Sequence, residues 1–93
     1  MTKTPLFPLG AVVATPGALA LTLDQGPLFF AGLLSRHVRG DFGDLDEHDK
    51  AENNFALTRN LRIFSAYETT GGKLWIITEA DRSSTCILTP DEY

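Results

Sequence analysis

Hydrophobic and polar positions follow two different periods along this chain, and the change falls near Asn60. Before that point apolar residues recur at helical spacing, most clearly on one face of the segment around residue 33. After it, β-branched and aromatic residues form short runs separated by glycine and polar residues. The pattern therefore predicts helices followed by strands.

Three helices are indicated by their start signals. Thr15 before Pro16 provides a capping hydroxyl and a proline at the first helical position, which predicts a helix over about residues 16–24. Pro27 repeats this signal for a helix over about 27–39. Asp44 or Asp46 is a natural N-cap for a third helix, over about 45–59, which is expected to bury Leu45, Ala51, Phe55 and Leu57.

The three predicted strands are LRIFSAY, KLWIIT and STCILT. The first two flank ETTGG, where Gly71 and Gly72 could form a tight turn. That turn would pair Ser65 with Thr78, whereas a longer loop would change the register. The face that carries Phe64, Ala66, Trp75 and Ile77 is expected to be the core, and Arg62 would pair across the strands with Asp81.

The predicted fold is α+β, with two to three N-terminal helices packed on a three-stranded antiparallel β-meander. A chain of 93 residues predicts one domain. Within it, residues 1–14 would be an irregular lead-in, residues 15–59 helical and residues 60–90 the meander.

Composition narrows the functional classes. The 43% of hydrophobic and 22% of charged residues are globular values. The single cysteine, Cys86, excludes an intrachain disulfide and is expected to be a buried strand thiol. The net charge of −4 disfavours nonspecific nucleic-acid binding. Prolines interrupt the apolar N-terminal segment, so we expect neither a signal peptide nor a membrane span, and we expect a cytoplasmic protein.

The acidic segment from residue 41 to 52 contains several short motifs. An RGD tripeptide would need display outside the cell, and a DFG tripeptide belongs to kinases only beside other motifs that are absent from this sequence. The spacing of Asp41 and Glu52 matches an EF-hand loop, but Asp46 occupies the position that requires glycine. His48 with Asp44 or Glu52 would be a weak metal site. We therefore expect no metal and no cofactor.

His37 lies on the apolar helical face and supports two interpretations. It could be a core histidine bonded to a backbone carbonyl, or an acid–base group at a cleft between helix and sheet. In the second interpretation it would act in a metal-free ribonuclease or toxin. The other catalytic residues would be Arg62, Tyr67, Arg82 and Thr85.

Several segments resemble one family of short bacterial proteins borne on plasmids and integrative conjugative elements. They are ATPGAL, RHVRGDFGDLDEHDKAEN, RIFSAY and LWIITEADRSSTCILTPDEY. Phe42 stands where the family commonly has tryptophan. Some members carry the label of a type I restriction methylase subunit, but this chain has no glycine-rich cofactor loop and no Asn-Pro-Pro-aromatic motif. The order of the predicted elements is also similar to that of barnase-like and RelE-like ribonucleases.

The resemblance implies an accessory protein of a mobile genetic element. Our leading hypothesis is that it binds a protein, such as a nucleic-acid-binding complex of host defence, through an acidic surface. The partner-binding residues would be Asp41, Asp44, Asp46 and Glu47. The metal-free ribonuclease is the alternative, and a homodimer joined through an edge of the sheet is a third hypothesis.

Overall fold

The computed structural model describes residues 5–26 and 28–93. Within them, three helices accompany a four-stranded sheet. The helices are α1 (Pro16–Leu21), α2 (Phe29–Val38) and α3 (Glu47–Arg59), and the strands are β1 (Ala11–Ala14), β2 (Ile63–Thr69), β3 (Gly72–Thr78) and β4 (Ser84–Leu88). Short 3₁₀ turns occupy Leu23–Gln25 and Pro90–Glu92. The α+β class predicted from the sequence is confirmed.

The sheet is mixed, with strand order β1-β4-β3-β2, and is not the predicted three-stranded antiparallel meander. β1 lies within the segment expected to be an irregular lead-in and pairs in parallel with β4, where Val12 is opposite Thr85. The prolines that suggested irregular structure flank this strand and do not interrupt it, since Pro16 is the first residue of α1. β-branched Val12 and Val13 suit an extended backbone.

The predicted cap residues explain the helix starts. The Thr15 hydroxyl accepts from the Ala18 N–H at 3.1 Å, and the Asp46 carboxylate accepts from the Asp49 N–H at 2.8 Å. Each bond satisfies a backbone donor that the first turn leaves free. The predicted start of α2 at Pro27 lies outside the described residues.

The β2–β3 hairpin turns at Thr70 and Gly71, one residue earlier than predicted. Its register places Ser65 opposite Ile76, a shift of two residues from the expected pairing with Thr78. A shift of two keeps every side chain on its predicted face. It moves the ionic partner of Arg62 from Asp81 to Glu79, at 3.2 Å.

The face that the helices cover is the opposite of the one predicted to be the core, although Ala66 and Ile77 of the predicted face are also buried. The inner face of the sheet carries Ile63, Ser65, Tyr67, Leu74, Ile76, Thr78, Thr85 and Ile87, all of which are at most 1% exposed. Ala18 of α1, Leu33 and Val38 of α2, and Ala56 of α3 pack on apolar residues of this face. α3 faces the sheet through Asn53 and Ala56, so the expected burial of Ala51 and Phe55 is wrong.

The C-terminal segment is held against the start of α1 by the carboxylate of Glu92. It accepts hydrogen bonds from the Thr15 hydroxyl, from the Gly17 N–H at 3.0 Å and from the Thr89 N–H at 2.9 Å. The Thr15 hydroxyl is the largest cause of the lowered pKa of Glu92, which falls from 4.5 to about 2. These bonds join the C-terminal segment to the start of α1 and position the adjacent Tyr93.

Lowering the pH should release this contact. Because the folded-state pKa of Glu92 is depressed, its contribution to stability is present above pH 4.5 and is lost as the pH falls towards about 2. Glu92→Gln should lower the urea midpoint at neutral pH and flatten the dependence of stability on pH in this window. Glu68→Gln, which changes an exposed carboxylate on β2, is the matched control. Equal effects of the two substitutions would contradict this role for Glu92.

Candidate functional site

A buried polar network lies where α2 crosses the inner face of the sheet. His37 of α2 is fully buried, with its Nδ1 2.5 Å from the Ser65 hydroxyl of β2 and its Nε2 2.9 Å from the Thr78 hydroxyl of β3. The Thr78 hydroxyl lies 2.7 Å from that of Thr85, which donates to the Leu9 carbonyl at 2.8 Å. The network therefore joins three strands, α2 and the segment before β1.

The proton positions in this network follow from the last bond. Because the Thr85 proton goes to a carbonyl, the Thr85 oxygen must accept the Thr78 proton. The Thr78 oxygen then accepts from His37, which fixes the proton on Nε2. Nδ1 is left as the acceptor for the Ser65 hydroxyl.

The surroundings of His37 keep the ring neutral. Burial lowers the pKa of His37 from 6.5 to about 4, because the charged imidazolium would lose its hydration. Phe7 and Phe42 contact the ring edge-on, with centroid distances of 5.1 and 6.4 Å. Protonation of Nδ1 would also place an N–H opposite the Ser65 hydroxyl, which now donates its own proton to that nitrogen, so their hydrogen bond would be lost. The arrangement favours a structural histidine, bonded to hydroxyls and not to the backbone carbonyl that we expected.

The other residues of the predicted ribonuclease site are dispersed. Tyr67 is buried on the inner face, where its hydroxyl donates to the Asp41 carbonyl, and burial raises its pKa to about 12. The Arg82 guanidinium donates to the Ala56 carbonyl at the end of α3 and to the Leu61 carbonyl. Arg62 lies on the opposite, outer face with Glu79. The structure thus links His37 with Thr85 but does not bring either arginine to them.

The outer face of the sheet carries two apolar rows beside the Glu68–Lys73 ion pair. In the described part of the chain, no buried helical residue packs against this face. One row across the strands consists of Val13, Cys86, Ile77 and Phe64, and the next contains Leu88, Trp75 and Ala66. A sheet face turned to water is normally polar. Ala66, Ile77 and Leu88 are buried, so the apolar surface of this face comes from half-buried Phe64 and Trp75, with exposed Val13 at the edge. Apolar side chains grouped at a surface are a candidate site of interaction.

Three aromatic side chains form a ladder across this face. The Phe64 and Trp75 rings lie 4.9 Å apart at 86°, and those of Trp75 and Tyr93 lie 5.7 Å apart at 71°. Edge-to-face contacts of this kind hold aromatic rings in fixed positions. Beside them is an open groove of about 480 Å³, lined by Asp49, Arg62, Phe64, Trp75, Ile77 and Tyr93. We call this feature the aromatic groove.

The sequence pattern assigned three residues of this groove incorrectly. Phe64 and Trp75, expected in the core, are half-buried, and Arg62, expected at a catalytic site, pairs with Glu79. Ile77, also expected in the core, is buried. Cys86, predicted to be buried, is half-buried beside Ile77, and burial is the main cause of its raised thiol pKa. The alternation of the strands placed these residues on one face correctly, but alternation alone does not say which face is covered.

The four predicted partner-binding acids differ in their roles. Asp41 is paired with Arg36 at 2.7 Å, and this bond lowers the pKa of the carboxyl. Asp46 caps α3. Asp44 and Glu47 are exposed, and the Glu47 carboxylate has only a 3.8 Å contact with Lys50. Asp44 and Glu47 are therefore the two that remain available to a partner.

Among the described residues, no cluster of side chains suited to a metal ion is present, and no helix is long and apolar enough to cross a membrane. Comparison of the chain with protein-family models, with curated proteins and with solved structures found no match.

The network itself can be tested by removing its middle hydroxyl. Thr78→Val keeps the shape of the side chain but leaves the Nε2 proton of His37 without an acceptor. An unsatisfied buried donor costs about 1–3 kcal/mol, so the free energy of unfolding measured with urea should fall by that amount. Thr58→Val, at an exposed position of α3, is the control. A loss no greater than that of the control would show that the network does not stabilise the fold.

Proposed function

We propose that this protein acts by binding a partner protein through the aromatic groove and the acidic residues beside it. The observation that carries the proposal is the outer face of the sheet, where Phe64 and Trp75 are only half-buried and Tyr93 is exposed, while the polar His37 is fully buried. Enzymes require reactive groups that a substrate can reach. Here the histidine is enclosed while the rings of Phe64, Trp75 and Tyr93 remain partly accessible, which is the arrangement of a binding module.

The groove has the properties of a binding hot spot. Trp and Tyr contribute a large share of the binding energy at protein interfaces, where they surround a pocket filled by an apolar side chain of the partner. Trp75 and Tyr93 are already in fixed contact. Little side-chain entropy would therefore be lost when a partner covers them.

Charge near the groove indicates the chemistry of the partner. Asp49 of α3 lines the groove directly. Asp44 lies beside the same sheet edge, because its N–H donates to the Ala66 carbonyl at 2.7 Å. An apolar pocket bordered by carboxylates fits a partner segment in which an apolar residue is accompanied by lysine or arginine.

The resemblance to proteins of mobile elements supports a narrower form of the proposal. A host defence complex that handles nucleic acid would present a basic groove of the required charge. In this form, the protein is an accessory factor that inhibits such a complex by occupying that groove. A metal-free ribonuclease is not favoured by any contact of His37.

The proposal predicts two separable effects on binding to a partner identified by capture of the tagged protein at low and high salt. Tyr93→Ala, at an exposed position, should raise the dissociation constant for the partner about tenfold or more, because apolar contact is lost. Asp44→Asn with Glu47→Gln should slow association and reduce its salt dependence.

Asp24→Asn is the control, because it removes a carboxylate from the 3₁₀ turn Leu23–Gln25, which follows α1 on the inner side of the sheet. Calorimetry or surface plasmon resonance with the purified partner measures all three variants. Wild-type affinity and salt dependence in both Tyr93→Ala and the double variant would overturn the proposal.

A further inference from the structure

The outer edge of β1 carries backbone groups directed away from the sheet. The Ala11 N–H donates to the Ser83 carbonyl at 3.0 Å, and the Thr15 N–H donates to the Ile87 carbonyl at 2.9 Å. Backbone groups alternate in direction along a strand. Val12 and Ala14 therefore point their N–H and C=O groups away from β4, on a side where the described residues form no strand.

The opposite edge of the sheet, by contrast, is covered. The Asn53 side-chain amide donates to the Phe64 carbonyl at 2.6 Å and accepts from the Phe64 N–H at 3.0 Å. The next outward-facing residue, Ala66, bonds to the Phe42 carbonyl and to the Asp44 N–H. Groups of the same chain therefore satisfy the edge of β2 at Phe64 and Ala66, whereas no bond to the outward groups of β1 is found within residues 5–26 and 28–93.

The surface at β1 suits a second copy of the same chain. Residues 4–23 contain no charged side chain, although the net charge of the chain is −4. Val12 and Val13 are 45% and 52% exposed. Exposed edge strands are commonly protected by lysine or proline, and β1 has neither. Glu92 lies beyond the C-terminal end of β1, bonded to Thr15 and Gly17, so two copies can approach at Val13 with no charged side chain of the strand itself between them.

We propose that β1 pairs antiparallel with β1 of a second copy, about a two-fold axis at Val13. In this register Val12 of each copy faces Ala14 of the other, and these residues exchange their four outward N–H···O=C bonds. An axis at Ala14 would bring Val12 opposite Pro16, which has no N–H. An axis at Val12 would require Gly10, whose φ of +65° is not extended.

The dimer has an eight-stranded sheet whose two outer faces are continuous. Val13 of each copy would meet at the centre, in line with Cys86, Ile77 and Phe64. The two aromatic grooves would lie on one surface, so a repetitive partner could engage both at once. The pairing itself rests on the edge of β1 and is independent of the proposed function.

Sedimentation equilibrium over a range of concentrations tests the dimer. Wild type should associate reversibly to two copies, and Val13→Lys should raise the dissociation constant by about tenfold or more because two like charges meet at the axis. Val13→Glu should do the same, and an equimolar mixture of the two variants should recover association. Leu23→Lys adds the same charge at an 82% exposed position outside the strand and should leave the dimer intact.

Cross-linking tests the register. Residues facing each other without exchanging hydrogen bonds have Cα atoms about 4.5 Å apart, which is within the range of a disulfide. In a Cys86→Ala background, Val13→Cys should oxidise to a covalent dimer, whereas Val12→Cys, which faces Ala14 of the other copy, should not. A wild type that stays monomeric at every concentration, or a dimer that neither Val13→Lys nor Val13→Glu weakens, would overturn the proposal.

Discussion

The buried ring of His37 must have hydrogen-bond partners inside the molecule, and this requirement determines which face of the sheet the helices cover. Ser65, Thr78 and Thr85 place three hydroxyls on one face, a composition that would ordinarily face water. His37 provides a partner for two of them, and the Leu9 carbonyl ends the series. Once these groups are paired, burying them costs little, and the large residues beside them can form the core. The helices therefore cover the face with the hydroxyls.

This orientation leaves the face of Phe64 and Trp75 without a covering helix, which connects the core with the function we propose. Phe64, Trp75 and Tyr93 protect one another by edge-to-face contacts, and smaller residues such as Ala66 are buried beneath them. Glu92 fixes the segment that ends in Tyr93. The groove is accordingly held in place by the same contacts that close the fold, and the acids of the connector before α3 lie beside it.

The sequence was sufficient for the features that depend on neighbouring residues. Thr15 and Asp46 were recognised as helix caps, and the strands β2, β3 and β4 were recognised from their β-branched and aromatic runs. The parallel pairing of β1 with β4 was not, because it joins segments about 70 residues apart, and four residues carry too little pattern to predict it. The hairpin register was also not predicted, because moving the turn by a single residue changes every pairing between β2 and β3 by two residues.

The choice of the buried face was the more instructive error. Hydrophobicity alone favoured the face of Phe64 and Trp75, and it also placed these residues in the core and not at a candidate site. The face of Ser65 and Thr78 is buried instead because His37 lies over these two hydroxyls. The position of His37 depends on how α2 packs across the sheet. The buried network and the exposed groove are thus two consequences of a single packing arrangement.

The most direct test is an imidazole ¹⁵N NMR spectrum of His37 in a His48→Gln variant, which leaves His37 as the single histidine. The ring should be neutral at neutral pH, with the proton on Nε2, and should become protonated only near pH 4. A ring that titrates near its ordinary value of 6.5, or that exchanges between tautomers, would show that His37 is open to solvent and would contradict the account.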